Sequence, residues 1–176
     1  MGCSLSNAVI EYNDISSIGV GWTTGGDGGG FDANNSYGIA LTQSNSPTIK
    51  THTTTVRYNR IANVPVWHAL DTHSGIDIVF TANTVASTSR PVFITNSSGE
   101  PTRVSVTNNT IISPSPATYN LVAITLYDTV DCTITGNAIS NLYPDQGQYV
   151  PAGDDRVYDY LLASTGLTVS DNTLIT

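Results

Sequence analysis

Charge is scarce in this chain, and positive charge scarcest. Lysine and arginine together number 6 against 14 acidic residues, a formal net charge of −8, and Lys50 is the only lysine. Phosphate contacts are made by lysine and arginine, so nucleic acid is a poor partner. A strongly anionic glycan would be repelled unless a cation intervened. Cysteine occurs only as Cys3 and Cys132, too few for a disulfide framework. The histidines are His52, His68 and His73 alone, and alternation scatters them over different faces, so no zinc site is expected. No apolar run is long enough to span a bilayer, and no basic-plus-apolar leader opens the chain, so no membrane partner is expected. Helical spacing with caps is absent. The glycine-rich run at 25–30 lacks Gly-Lys-Ser/Thr and opens no helix, so it is not a phosphate loop. No Ser-His-Asp elbow is present.

What is present is a repeat. The pattern apolar–x–apolar–x–x–Asn–x–apolar recurs around Asn13, Asn59, Asn83, Asn109, Asn137 and Asn172, at spacings of 46, 24, 26, 28 and 35 residues. Three positions before each Asn stand Ile10, Val56, Phe80, Val106, Ile134 and Val169; two after it stand Ile15, Ile61, Val85, Ile111, Ile139 and Leu174. Five before it are Ala8, Thr54, Ile78, Val104, Cys132 and Leu167, which makes Cys132 a buried free thiol rather than half of a disulfide. Apolar residues alternate at period two before the Asn, the mark of a strand with one buried face. The Asn is expected to form the bend, since it tolerates the left-handed conformation, and its stacked amides to bond from repeat to repeat. A second strand is expected upstream of each motif, at 38–41, 67–70, 92–94, 122–124 and 160–162. One repeat then reads strand, turn, strand, Asn bend, short strand, turn, and stacking such units gives a solenoid. A hairpin sandwich would need Asn-Gly or Asp-Gly turns, and Asp27-Gly28 is the one such dipeptide.

A Gly-Ile-x-Leu strand followed by Ile-x-x-Asn-x-Ile is visible at 38–41 with 56–61, and the second element again at 106–111 and 134–139. In this the chain resembles the right-handed parallel β-helix of the pectin lyase-like superfamily. The resemblance implies an all-β, single-stranded solenoid of five to six coils over residues 1–176. It leaves function open, because the superfamily holds pectate lyases, glycoside hydrolases, alginate epimerases and bacteriophage tailspikes. Solenoids need capped ends, and neither terminus offers an amphipathic helix. A fragment of a longer protein, or ends covered by oligomer partners, is therefore expected.

Insertions interrupt the repeat where structure does not need them. Two long ones, at 23–36 and 144–157, enter the same turn, and a shorter one lies at 113–119. Insertions at one register stack on one side, often the binding side. The five upstream strands between them make a floor of roughly 19 Å at ~4.8 Å per strand. Trp22, Trp67, Tyr37, Tyr143 and Tyr158 lie near these loops and are expected to stack on sugar rings. Oxygen donors Asp27, Asp32 and Asn34 are of the type calcium takes, but their spacing is not that of an EF-hand. No cofactor is expected.

The segment His68-Ala69-Leu70-Asp71-Thr72-His73 carries the sharpest chemistry. With Leu70 pointing inward, Asp71 and His73 point outward together, and a carboxylate beside an imidazole is a workable acid/base pair. Parity places His68 inward. The segment is similar to the Tyr-Gly-Phe-Asp-Pro-His motif of mannuronate C5-epimerases, whose Asp and His are catalytic. Asp71 and His73 match it, Thr72 replaces Pro, and His68 stands where the catalytic Tyr would be and is expected to bind substrate. Segments of this His-x-x-Asp-x-His form are also similar to those of β-helical phage-tail proteins. For hydrolysis by two carboxyls, Asp32 is a better second acid than Asp154 or Asp155.

Two functions are expected. One is a polysaccharide depolymerase, extracellular or virion-associated, with hydrolysis slightly favoured over elimination or epimerisation because basic residues are few. The other is a noncatalytic, structural or receptor-binding module of a phage tail or spike. There, a nearly uncharged outward column (Val9, Thr55, Val79, Ser105, Thr133, Thr168) would let three copies pack as a homotrimer.

Overall fold

A computed structural model describes residues 5–18, 36–42, 50–97, 99–112, 122–143, 156–160 and 163–176. Among these the chain is all-β, with fifteen strands in two sheets and every strand pairing parallel.

The first sheet collects the strands that precede each Asn. They are β1 (Val9–Glu11), β4 (His52–Arg57), β6 (Ile76–Thr81), β8 (Ser105–Thr107), β11 (Thr133–Thr135) and β14 (Thr168–Ser170), neighbours in that order. Its register is the repeat itself: Ile10, Val56, Phe80, Val106, Ile134 and Val169 pair one to the next without a slip. A one-residue slip would turn each of these side chains to the other face, so burial of the column holds the register.

The second sheet holds β2 (Asp14–Ser16), β3 (Tyr37–Leu41), β5 (Arg60–His73), β7 (Thr84–Thr95), β9 (Thr110–Ile111), β10 (Ile124–Tyr127), β12 (Ala138–Ser140), β13 (Val157–Tyr160) and β15 (Thr173–Ile175). It carries two further columns. Ile15, Ile61, Val85, Ile111, Ile139 and Leu174 form one, and Ile39, Leu70, Val92, Ile124 and Val157 the other. The sequence suggested a turn between these two zones. In β5 and β7 the strand instead runs through both, redirected by single left-handed residues, Asn63 (φ 56°) and Ser87 (φ 53°). One such residue bends a strand without breaking its pairing, and Val64 pairs with Thr88 directly beyond the bend.

The buried members of the three columns meet in one core with Leu41, Ile78, Ile94, Leu126 and Cys132. Each fully buried Ile, Leu or Phe contributes about 1.5–3 kcal/mol. Cys132 is a free thiol there, raised above its ordinary pKa chiefly by burial.

The asparagines form a continuous ladder. Asn59 donates its backbone N–H and its Nδ2 to Asn83 Oδ1, both at 3.0 Å, and the same double contact links Asn13 to Asn59, Asn83 to Asn109, Asn109 to Asn137 and Asn137 to Asn172. From Asn59 onward each amide also reaches back to the carbonyl of an inward residue, as Asn83 Nδ2 does to Val56 O at 2.9 Å. The expected left-handed Asn is corrected. The residue before it takes that conformation in every repeat: Tyr12 (φ 58°), Tyr58 (55°), Ala82 (53°), Asn108 (55°), Gly136 (68°) and Asp171 (58°). The physical reason is division of labour. An Asn whose N–H must point along the stack stays extended, so its neighbour makes the turn.

Candidate functional site

β5 ends on Leu70-Asp71-Thr72-His73, with Leu70 and Thr72 in the core and Ala40 and Phe93 flanking Asp71 in register. Asp71 therefore belongs to the outer face of the sheet. It is nevertheless 0% exposed, which corrects the expectation of a solvent-facing carboxylate. Side chains close over it. The His68 ring packs between Trp67, with centroids 4.4 Å apart, and Phe93, at 4.0 Å. Tyr37 meets His68 and His73 edge-on at 5.6 and 6.5 Å.

Inside this cover the carboxylate is gripped on both oxygens. His68 Nδ1 lies 3.1 Å from Asp71 Oδ1, and His73 Nε2 lies 3.1 Å from Oδ2, an ion-pair contact rather than an aligned hydrogen bond. Only the His73 side chain reaches solvent, at 26% exposure. Parity had His68 on the core side, away from Asp71. Alternation does not extend back that far, because Ala69 and Leu70 are both fully buried. The pairing of β5 with β7 also shifts between Val64 and His68, four residues along one strand against two along the other. The irregularity carries the His68 ring onto the outer side.

The electrostatics follow from this packing. Burial pushes the Asp71 carboxyl up, but the two imidazoles outweigh it, and the group sits below its ordinary range. Burial likewise pushes His68 down, with Asp71 opposing and the Arg90 charge adding to the fall. A neutral His68 donates Nδ1–H to Asp71 and leaves Nε2 an acceptor, which has no hydrogen-bond partner among the described residues. His73, with Nε2 turned to Asp71, leaves Nδ1 as the nitrogen able to take a proton. Tyr37 is raised by burial first, with the Asp71 charge adding and Trp67 opposing.

An aromatic row extends from this cluster across the strands. Phe93 follows His68, Tyr127 lies 5.4 Å from Phe93, and Tyr160 stacks on Tyr127 at 4.6 Å, with Tyr158 edge-on at 6.3 Å. The Arg90 guanidinium lies over Trp67 at 5.0 Å and over Phe93 at 5.6 Å. Beside Tyr127 and Tyr160 is a hollow of about 240 Å³, completed by Asn96, Asp128 and Ala163.

Of the residues expected to bind substrate, Tyr37, Trp67 and His68 gather at Asp71, and Tyr158 joins the row at its far end. Tyr143 does not reach the surface. It is fully buried and its hydroxyl donates to Thr88 O at 2.6 Å, so the ring fills core space with its polar tip satisfied. Trp22 and Asp32 lie outside the described residues, as do Asp27, Asn34, Asp154 and Asp155. Phe93, Tyr127, Tyr160 and Arg90 were missed, although Phe93 between inward Val92 and Ile94 carries the alternation that marks an outward side chain. Among the described residues no cluster of His, Cys, Asp or Glu is arranged to hold a metal ion; both imidazoles turn to Asp71 instead. No protein-family model, curated protein or solved structure matches the chain.

Proposed function

We propose that the chain is a right-handed parallel β-helix of the pectin lyase type that binds a polysaccharide across the outer face of its second sheet and processes it. His73 moves the proton and Asp71 orients it; the setting is extracellular or on a virion. The in-register parallel stacking of equivalent strands and asparagines supports the solenoid part of this reading. The observation that carries the chemistry is a fully buried carboxylate held between two imidazoles, one of which is exposed.

Asp71 has both oxygens engaged beneath the aromatics and does not itself meet a glycosidic oxygen. Hydrolysis by a pair of substrate-facing carboxyls is thus less well supported than proton abstraction by His73, for which a fixed ring orientation is what matters. In elimination, the base takes the proton from the ring carbon beside a uronate carboxylate. A carbon–carbon double bond forms as the adjacent carbon–oxygen glycosidic bond breaks, and the leaving oxygen takes a proton from water or from the protonated His73. In epimerisation water on the opposite face protonates the same carbon instead, and the proton held by His73 is given up to solvent. Both build enolate-like negative charge, and Arg90 is the cation beside the cluster that would stabilise it.

Turnover on a panel of bacterial and algal polysaccharides tests this, following reducing ends, the ultraviolet absorbance of unsaturated products, and NMR for epimerisation. Loss of product with folded His73→Ala supports the reading. Turnover that persists in that variant, or no change in any polysaccharide, sinks it.

The noncatalytic spike-module reading keeps one specific support. The outer column Thr55, Val79, Ser105, Thr133 and Thr168 runs in register without a charge, which suits side-by-side packing of three copies. Sedimentation as a trimer without turnover would favour it.

A further inference from the structure

The hollow beside Tyr127 and Tyr160 is chemically unlike the Asp71 cluster. His73 pairs with Thr95 across the strands, and the next residue, Asn96, enters the hollow wall. Tyr127 and Tyr160 are register partners on the two strands beyond. At ~4.8 Å per strand the middle of the hollow lies about 10 Å from His73, along the line a glycan would follow across the sheet.

Its floor is the stacked Tyr127–Tyr160 pair, with Tyr160 40% exposed. Its polar wall is a preset pair: Asn96 Nδ2 donates to Asp128 Oδ2 at 3.0 Å. That bond leaves Asn96 with a second N–H and its carbonyl oxygen, and Asp128 with Oδ1. Asp128 is in the left-handed conformation (φ 50°), and the bond from Asn96 holds its carboxylate. An aromatic platform flanked by one donor and two acceptors matches a sugar ring, whose apolar face lies flat while neighbouring hydroxyls donate and accept.

We infer that this hollow is a subsite for an uncharged pyranose, seated on Tyr127 and Tyr160 and held through adjacent hydroxyls by Asn96 and Asp128. The inference rests on the reading of this face as a glycan groove. Among the described residues no lysine or arginine lines the hollow, so none of them offsets the repulsion between Asp128 and a uronate placed there. Arg90 stands at the other end of the row, beside His68. The substrate is therefore a mixed polysaccharide: an acidic sugar at His73 and an uncharged one about 10 Å further on. A polymer of uronates alone does not satisfy both ends.

Saturation-transfer NMR tests this with the methyl glycosides of glucose, galactose, mannose and rhamnose, and with the methyl glycosides of galacturonic and glucuronic acid, carboxylates free, as acidic counterparts. The proteins compared are the unaltered chain, Tyr160→Ala, Asp128→Asn and His73→Ala. Asp128→Asn keeps a residue that tolerates the left-handed backbone. Signal from at least one neutral glycoside is expected, at least tenfold weaker in the Tyr160 and Asp128 variants and unchanged in His73→Ala. Absence of signal from every neutral glycoside overturns the inference, as does equal signal from the uronates or binding that survives both substitutions. Binding without turnover would count against the catalytic reading alone, and turnover without binding in the hollow against this one alone.

Discussion

Asn109 Oδ1 accepts two hydrogen bonds from Asn83, one from its backbone N–H at 2.9 Å and one from its side-chain amide at 3.0 Å. Both residues are buried, so neither donor has water to fall back on. Asn109→Ala leaves the Asn83 N–H unpaired and removes the donor to Phe80 O. A cost of about 3 kcal/mol is expected, since each orphaned buried group costs roughly 1–3 kcal/mol. Asn13 is exposed and its amide donates without accepting from any described residue. Asn13→Ala should cost about 1 kcal/mol or less. Urea unfolding of the two variants, compared at equal m-value, checks the contrast.

The residue before each ladder Asn turns the chain, and the repeats fill that position differently. Ala82 sits at φ 53° where a side chain is disfavoured, so Ala82→Gly should raise stability by about 0.5–1 kcal/mol. Gly136→Ala should lower it by about 1–2 kcal/mol, and its new Cβ would stand 2.6 Å from Asn108 Oδ1. Opposite shifts in denaturant midpoint are the expected outcome. Shifts of the same sign would mean that the turn is not the determinant.

Acid should weaken the fold in two stages. His68 is lowered in the folded state, so the unfolded chain binds its proton first, and stability falls as pH drops below about 6.5. Asp71 is lowered as well, so its contribution is present above about 3.9 and disappears as pH falls through the folded value. One proton changes stability by at most about 1.4 kcal/mol per pH unit. Chemical denaturation measured from pH 8 down to pH 5 should slope downward, and His68→Gln should flatten that slope.

His73 and Asp71 should separate activity from stability. His73→Ala removes a partly exposed ring from one Asp71 oxygen and lets water reach it, so the cost should be about 1 kcal/mol, while turnover falls about 10²- to 10⁴-fold. Asp71→Asn should lose both, because a neutral amide holds the buried His68 Nδ1–H and the His73 ring less strongly than the carboxylate, at a cost of about 1.5–3 kcal/mol. Steady-state kinetics beside thermal melts on the two proteins distinguish these outcomes.

Much of the architecture is legible before any coordinates, for a physical reason. A residue in a stacked repeat meets its own equivalents, so the pattern that buries Val56 also buries Phe80, Val106 and Ile134. The asparagine ladder is legible on the same ground, while the left-handed neighbour is not, since Tyr58, Ala82 and Asn108 share no side-chain property. At the site, alternation read outward from Leu70 places Asp71 on the correct face. It fails at His68, where the β5 pairing shifts by two residues and carries the ring across. Burial of Asp71 was unreadable because its cover comes from Tyr37 and Phe93, whose distance in sequence hides their nearness in the sheet.

Ladder bonds of almost the same length join asparagines 24 residues apart in one place and 46 apart in another. The scaffold thus measures repeats and is indifferent to the number of residues between them. Intervening segments are free to lengthen, shorten or change composition without disturbing how the framework pairs. The length and composition of those segments can therefore change while the apolar columns and the asparagine ladder are kept. Such a framework takes in a longer segment at the entropic cost of a longer loop, which rises only slowly with length.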